Sequence, residues 1–98
     1  MTLTTDKNGT QLTVHLSGEL NTMTAPELTA LLDKELAGVK ALTLDFSECD
    51  YVSSAGLRAI LTANRTMSDR KGMKLTNVNE IVREVFGVTG LLAILAIE

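Results

Sequence analysis

The chain has 98 residues, with one cysteine, one proline, one histidine and no tryptophan, and two phenylalanines and one tyrosine are its whole aromatic complement. Each scarcity excludes something. Cys49 has no partner for an internal disulfide, and His15 has no second histidine with which to build a metal site. With so few rings, Leu, Ile, Val, Ala and Met must fill the interior as a layered aliphatic core. The N-terminal stretch Met1-Thr-Leu-Thr-Thr-Asp6 lacks the basic region and long apolar run of a secretion signal. The apolar run Leu91 to Ile97 falls far short of the ~20 residues that span a bilayer. Nine basic against twelve acidic residues give a net charge of -3, which argues against a nucleic-acid footprint or an anionic-membrane patch. A single cytoplasmic domain over residues 1–98, binding neither nucleic acid nor membrane, is the expectation.

Hydrophobic periodicity supplies the organisation. Leu12, Val14 and Leu16 alternate with Gln11, Thr13 and His15 in a half-buried strand that Gly18 should end. A shorter strand, Thr2 to Asp6, can pair with it through the turn Lys7-Asn8-Gly9, because Asn-Gly readily takes positive φ. Thr24-Ala-Pro-Glu27 has the form of a capped helix start, with Glu27 reaching back, and Leu28, Leu31, Leu32 and Leu36 then recur on one face up to a stop at Gly38. Ala41 to Phe46 alternates as another strand, and Ser47-Glu-Cys-Asp50 resembles a turn. From about Ser53 a second helix carries Leu57, Ile60, Leu61, Ala63 and Met67 on one face, closing at Lys71-Gly72. Met73 to Val78 predicts a strand, Asn79 a cap for a short helix through Phe86, and Ile94 to Ile97 a last strand after Gly87 and Gly90. The order β-β-α-β-α-β-α-β predicts an α/β fold, a mixed sheet with amphipathic helices packed on it.

Chemistry is thinly provided for. His15 lies on the polar side of its strand and is expected to face solvent, and Cys49 is expected to be a small half-buried residue without a Cys-x-x-Cys companion. Neither glycine-rich phosphate cradle is present, and the spacing of Asp45 and Glu48 does not by itself bring two carboxylates together. No catalytic residue, cofactor or metal is expected. Ser53-Ser54-Ala55-Gly56 differs because it falls where a strand feeds a helix and unpaired N–H groups concentrate. Either serine can serve simply as the helix cap. A phosphate there would also meet N–H donors and the positive end of the helix dipole, leaving the fold intact while changing the surface by roughly -1.5 to -2 charges.

Three segments in order carry a resemblance: Leu16-Ser-Gly-Glu-Leu-Asn21 with Thr24-Ala25, then Leu42-Thr-Leu-Asp-Phe46 leading to Tyr51-Val-Ser-Ser-Ala-Gly-Leu57, then Val85-Phe86 with Gly90-Leu91. Together they resemble the STAS family, and within it the bacterial anti-sigma factor antagonists, over almost the whole chain. Anchoring on Gly56-Leu57 sets Ser54 at the family's phosphoacceptor serine. Ser53 then replaces an aspartate, Ala55 a serine or threonine, and Asn21 an aspartate common after Gly-Glu-Leu; Ser53 becomes a second acceptor candidate.

The resemblance implies a partner-switching cycle. The unmodified protein binds an anti-sigma factor serine kinase and frees a sigma factor; phosphorylation of Ser54 ends that interaction, and a PP2C-type phosphatase resets it. ATP and magnesium belong to the kinase. The implied contact surface comprises Asn21, Thr22, Ser53, Ser54, Gly56 and Arg58, with Gly56 either allowing a partner backbone close approach or simply making a tight helix entry. Losing the aspartate motivates an alternative, a constitutive STAS adaptor subunit of a transport or signalling complex. A hydrolase with Ser54 as nucleophile would require a base that the sequence does not identify.

Overall fold

The computed structural model describes residues 1–98, the side chain of Leu92 excepted. Its elements follow the expected order: β1 (Thr2–Asn8), β2 (Gln11–Leu20), α1 (Ala25–Glu35), β3 (Ala41–Val52), α2 (Ser54–Met67), β4 (Gly72–Thr76), α3 (Glu80–Val88) and β5 (Ala96–Ile97), with a 3-10 turn at Leu91–Ala93. The strands lie in the order β1-β2-β3-β4-β5. β1 is antiparallel to β2, and every later pairing is parallel, so the connections between β2, β3, β4 and β5 are helical crossovers.

Alternation decides which side of the sheet is covered. Leu12, Val14, Leu16, Leu42, Leu44, Phe46, Met73 and Leu75 are buried on one face beneath the helices, whereas Thr13, His15, Thr43, Asp45 and Lys74 on the other are not. α1 contributes Leu28 and Leu32 to that core, and Leu36 just past its end; α2 contributes Leu57, Ile60, Ala63 and Met67. Phe46 and Phe86 meet edge to face with centroids 6.3 Å apart, pinning α3 to β3. Such a pair adds about 0.5–1.5 kcal/mol beyond its burial.

Several boundaries differ from expectation. β1 extends to Asn8, and the hairpin turn falls on Gly9-Thr10 with Gly9 at φ 64°. Gly18 does not end β2: at φ 104° it lies within a strand that continues to Leu20. The segment Ser47 to Asp50 is likewise strand, because β3 runs to Val52 with two register shifts against β2. Ser17 pairs with Glu48 and Glu19 with Tyr51, so each shift inserts one extra residue into β3. Inward residues then fall at Phe46, Cys49 and Val52, a spacing that hides the strand from a period-two search. β4 ends at Thr76, α3 continues through Gly87 to Val88, and the final strand shrinks to Ala96–Ile97.

Candidate partner-binding site

The bulges carry β2 and β3 past the rest of the sheet, and α1 and α2 begin where they end. Ser53 N–H donates to the carbonyl of Leu20 at 2.8 Å, tying the start of α2 to the end of β2. Ser53 is extended, at φ -88° and ψ 177°, and its Oγ accepts from Gly56 N–H at 3.4 Å, a long N-cap bond. Ser54 is the first helical residue and is exposed. Among the described residues its hydroxyl has no hydrogen-bond partner.

Gly56 is buried, and its missing Cβ is needed inside the protein. A Cβ there would lie 2.7 Å from the Leu20 carbonyl oxygen and 2.8 Å from Leu20 Cγ. Of the two roles open to Gly56, this geometry supports the tight helix entry: the close approach is by the chain's own β2.

The loop before α1 closes on itself. Asn21 Oδ1 accepts from the N–H groups of Met23 at 2.9 Å and Thr24 at 3.2 Å, and the Asn21 carbonyl accepts from Ala25 N–H at 2.7 Å. Thr24 is helical in conformation and makes no side-chain cap; its hydroxyl donates to the Glu19 carbonyl at 2.7 Å and accepts from Asn21 N–H at 2.8 Å. The capping box expected at Thr24 and Glu27 is thus replaced by an Asn21 turn three residues upstream. The Thr24 N–H that Glu27 should have met is already engaged.

Thr22, Asp33 and Arg58 line, with Ala25, Ala55 and Ala59, a groove between α1 and α2. Arg58 is exposed and belongs to no ion pair among the described residues. Two apolar side chains at this end escaped the sequence reading: Met23 is 82% exposed beside Thr22, and Tyr51, two residues before Ser53, is 43% exposed. Alternation could have drawn attention to Tyr51 only if the bulges had been foreseen. Asn21, Thr22, Ser53, Ser54 and Arg58 are thus brought together at one end of the sheet, around Gly56 turned inward.

Elsewhere, Cys49 is wholly buried, its thiol donating to the Tyr51 carbonyl at 3.6 Å, and desolvation raises its pKa. His15 is exposed as expected, yet it is not free: its Nδ1 lies 2.7 Å from Asp45 Oδ2 across 30 residues of sequence. Burial pushes the Asp45 carboxyl upward, but hydrogen bonds from Asn77 at 2.9 Å, Ser47 N–H at 3.0 Å and His15 outweigh it and hold the pKa at about 2. Asp45 is therefore ionised, and His15 Nδ1 donates. Asp45 engages those three partners rather than Glu48. Among the described residues no group of three His, Cys, Asp or Glu could hold a metal ion, and no helix is long and apolar enough to cross a membrane.

The fold defines a small α/β domain with a five-stranded mixed sheet and three helices, and comparison with known proteins identifies its family. A family model described as Mlab, STAS domain matches residues 3–96, and the chain belongs to the STAS family. A relative from Bordetella bronchiseptica, provisionally named anti-sigma factor antagonist BtrV, is 36% identical over 96 residues, covering 96% of this chain and 83% of the relative. An anti-sigma factor antagonist from Mycobacterium paratuberculosis superposes with TM-score 0.88 at 23% identity, covering 98% of this chain and 83% of that one. Unphosphorylated SpoIIAA has TM-score 0.84 at 20% identity, covering 99% of this chain and 88% of its own. The phosphorylated form of Bacillus SpoIIAA has TM-score 0.76 at 19% identity, covering 99% and 91%.

Proposed function

We propose that this chain is a cytoplasmic anti-sigma factor antagonist, a single STAS domain over residues 1–98 without catalytic activity, and that phosphorylation of Ser54 controls it. Unmodified, it binds an anti-sigma factor serine kinase. The kinase transfers the γ-phosphoryl of ATP to Ser54 Oγ: the new P–Oγ bond forms, the bond to the β-phosphate oxygen breaks, and the hydroxyl proton is lost as ADP departs. Binding then ends, and a PP2C-type phosphatase restores the serine.

The observation that carries this reading is the division of labour between adjacent serines. Ser53 Oγ is half-buried and accepts from Gly56 N–H, whereas the hydroxyl of Ser54 is exposed at the first position of a 14-residue helix. A kinase needs an accessible hydroxyl, and the helix start tolerates the added charge. Ser53 stands where the family has aspartate; both are good N-caps, so the exchange preserves the cap and leaves Ser54 as the preferred acceptor. Relatives support the reading: BtrV carries the antagonist name, and SpoIIAA has been solved in both unphosphorylated and phosphorylated forms. Met23, Tyr51, Thr22 and Arg58 give a partner apolar and polar anchors around Ser54.

The test is incubation of the purified chain with its cognate anti-sigma kinase and ATP, followed by mass spectrometric mapping. Phosphate is expected on Ser54, to be lost in Ser54→Ala and retained in Ser53→Ala. Kinase binding that persists unchanged in Ser54→Asp, with no phosphate on either serine, would instead make the chain a constitutive adaptor.

A further inference from the structure

We propose that Arg58 is the internal receptor of the phosphate on Ser54, so that modification adds an anion and at the same time withdraws from the partner the one basic side chain of residues 18–25 and 47–58. The inference rests on the phosphoswitch reading above.

Arg58 follows Ser54 by four residues on the same continuous helix. That spacing puts the two on adjoining turns of one face, about 6 Å apart along the axis and about 40° apart around it. Helical side chains lean toward the N-terminus, so an arginine at this position overlies the turn that carries Ser54. The guanidinium fork reaches that distance and matches two phosphate oxygens, which an ammonium cannot do bidentately.

The surroundings leave Arg58 available. It makes no ion pair and donates no side-chain hydrogen bond among the described residues. The two segments that build this end, residues 18–25 and 47–58, contain Glu19, Glu48 and Asp50 as acids and Arg58 as their one base. A phosphate on Ser54 therefore joins segments that carry three acids and one base, Arg58, four residues along the same helix. Ser53, being neutral, offers Arg58 no carboxylate at the cap; Asp33 of α1 lines the same groove as Arg58 but forms no ion pair with it. Before modification the guanidinium of Arg58, an exposed residue that lines the α1/α2 groove, is open to a partner's carboxylate. Afterwards it is engaged within the chain, and a partner carboxylate that had used it faces a phosphate instead.

The test needs no kinase. Phosphoserine is installed at position 54 of the full chain by semisynthesis, and its 31P shift is titrated against pH in the natural sequence, Arg58→Lys and Arg58→Gln. The phosphate's second ionisation should fall about half a pH unit lower with arginine than in Arg58→Gln, with Arg58→Lys between them, the size expected of a solvent-exposed pair. The Arg58 Nε resonance should also move through the same titration. The helix N-terminus and Ser53 are common to all three proteins, so their influence cancels. Coincident 31P midpoints in the three proteins would overturn the proposal. Failure of the underlying switch reads out separately, as an unmodified chain that the kinase neither binds nor phosphorylates while the 31P difference persists.

Discussion

Two helix starts lie side by side at the end of β2 and β3, and they use their polar groups in opposite ways. At α1 the hydroxyl of Thr24 and the amide of Asn21 are both engaged, between them meeting the N–H groups of Asn21, Met23 and Thr24 and the Glu19 carbonyl. At α2 a single long bond from Gly56 N–H to Ser53 Oγ serves as the cap, and Ser54 is left outside with an unengaged hydroxyl. The first start is a closed turn. The second holds its backbone by packing, through Gly56 against Leu20, and leaves Ser54 exposed. Under the proposed switch, anchoring by backbone packing rather than by the Ser54 hydroxyl lets that hydroxyl be modified without unfolding the helix start.

That contrast can be broken most forcefully at Gly56. Gly56→Ala puts a Cβ into the Leu20 carbonyl and should cost roughly 2–3 kcal/mol in urea denaturation, a large part of the stability of a small domain. A loss below about 0.5 kcal/mol would mean that α2 is not seated by that contact. Acid provides a second measure, remote from both helix starts. The folded pKa of Asp45, about 2, lies below its ordinary 3.8, so the carboxylate's contribution is fully present above about pH 4 and is lost as pH falls toward 2. Asp45→Asn should flatten that part of the stability profile, whereas Ser54→Ala should leave its shape unchanged.

The capping residues give the finest comparison. Asn21→Ala removes an acceptor of two N–H groups and should cost about 1 kcal/mol; Ser53→Ala, losing one long bond, should cost about 0.5 kcal/mol. Ser54→Ala should lie within about 0.5 kcal/mol of the parent while abolishing modification. If Ser54→Ala proved the most destabilising of the three, the division of roles between the serines would be reversed.

The parts legible in the sequence are those with local causes. Leu12, Val14 and Leu16 alternate because one face of β2 is buried, and Ile60, Ala63 and Met67 recur because one face of α2 is. Asn79 accepts from Val82 N–H at 2.8 Å, as its position before a helical pattern predicted. Illegible were the features that depend on a neighbouring strand or helix. The inserted residues in β3 break its alternation, so Ser47 to Asp50 resembles a turn. The α1 cap moved to Asn21 because the chain was already coiling there, and His15, Asp45 and Asn77 meet only once three strands are assembled.

By itself, then, the sequence determined an α/β alternation with an aliphatic core, its resemblance to the STAS family, and a pair of serines at a helix start, since periodicity, composition and local motifs are properties of contiguous residues. Only the tertiary structure decided which serine caps the helix and which is exposed, and set Gly56 against β2. Which hydroxyl caps and which is exposed depends on where Leu20 anchors the helix, and the burial of Gly56 depends on how closely β2 approaches it. Those are distances between segments more than thirty residues apart in sequence, and they exist only once the sheet has formed.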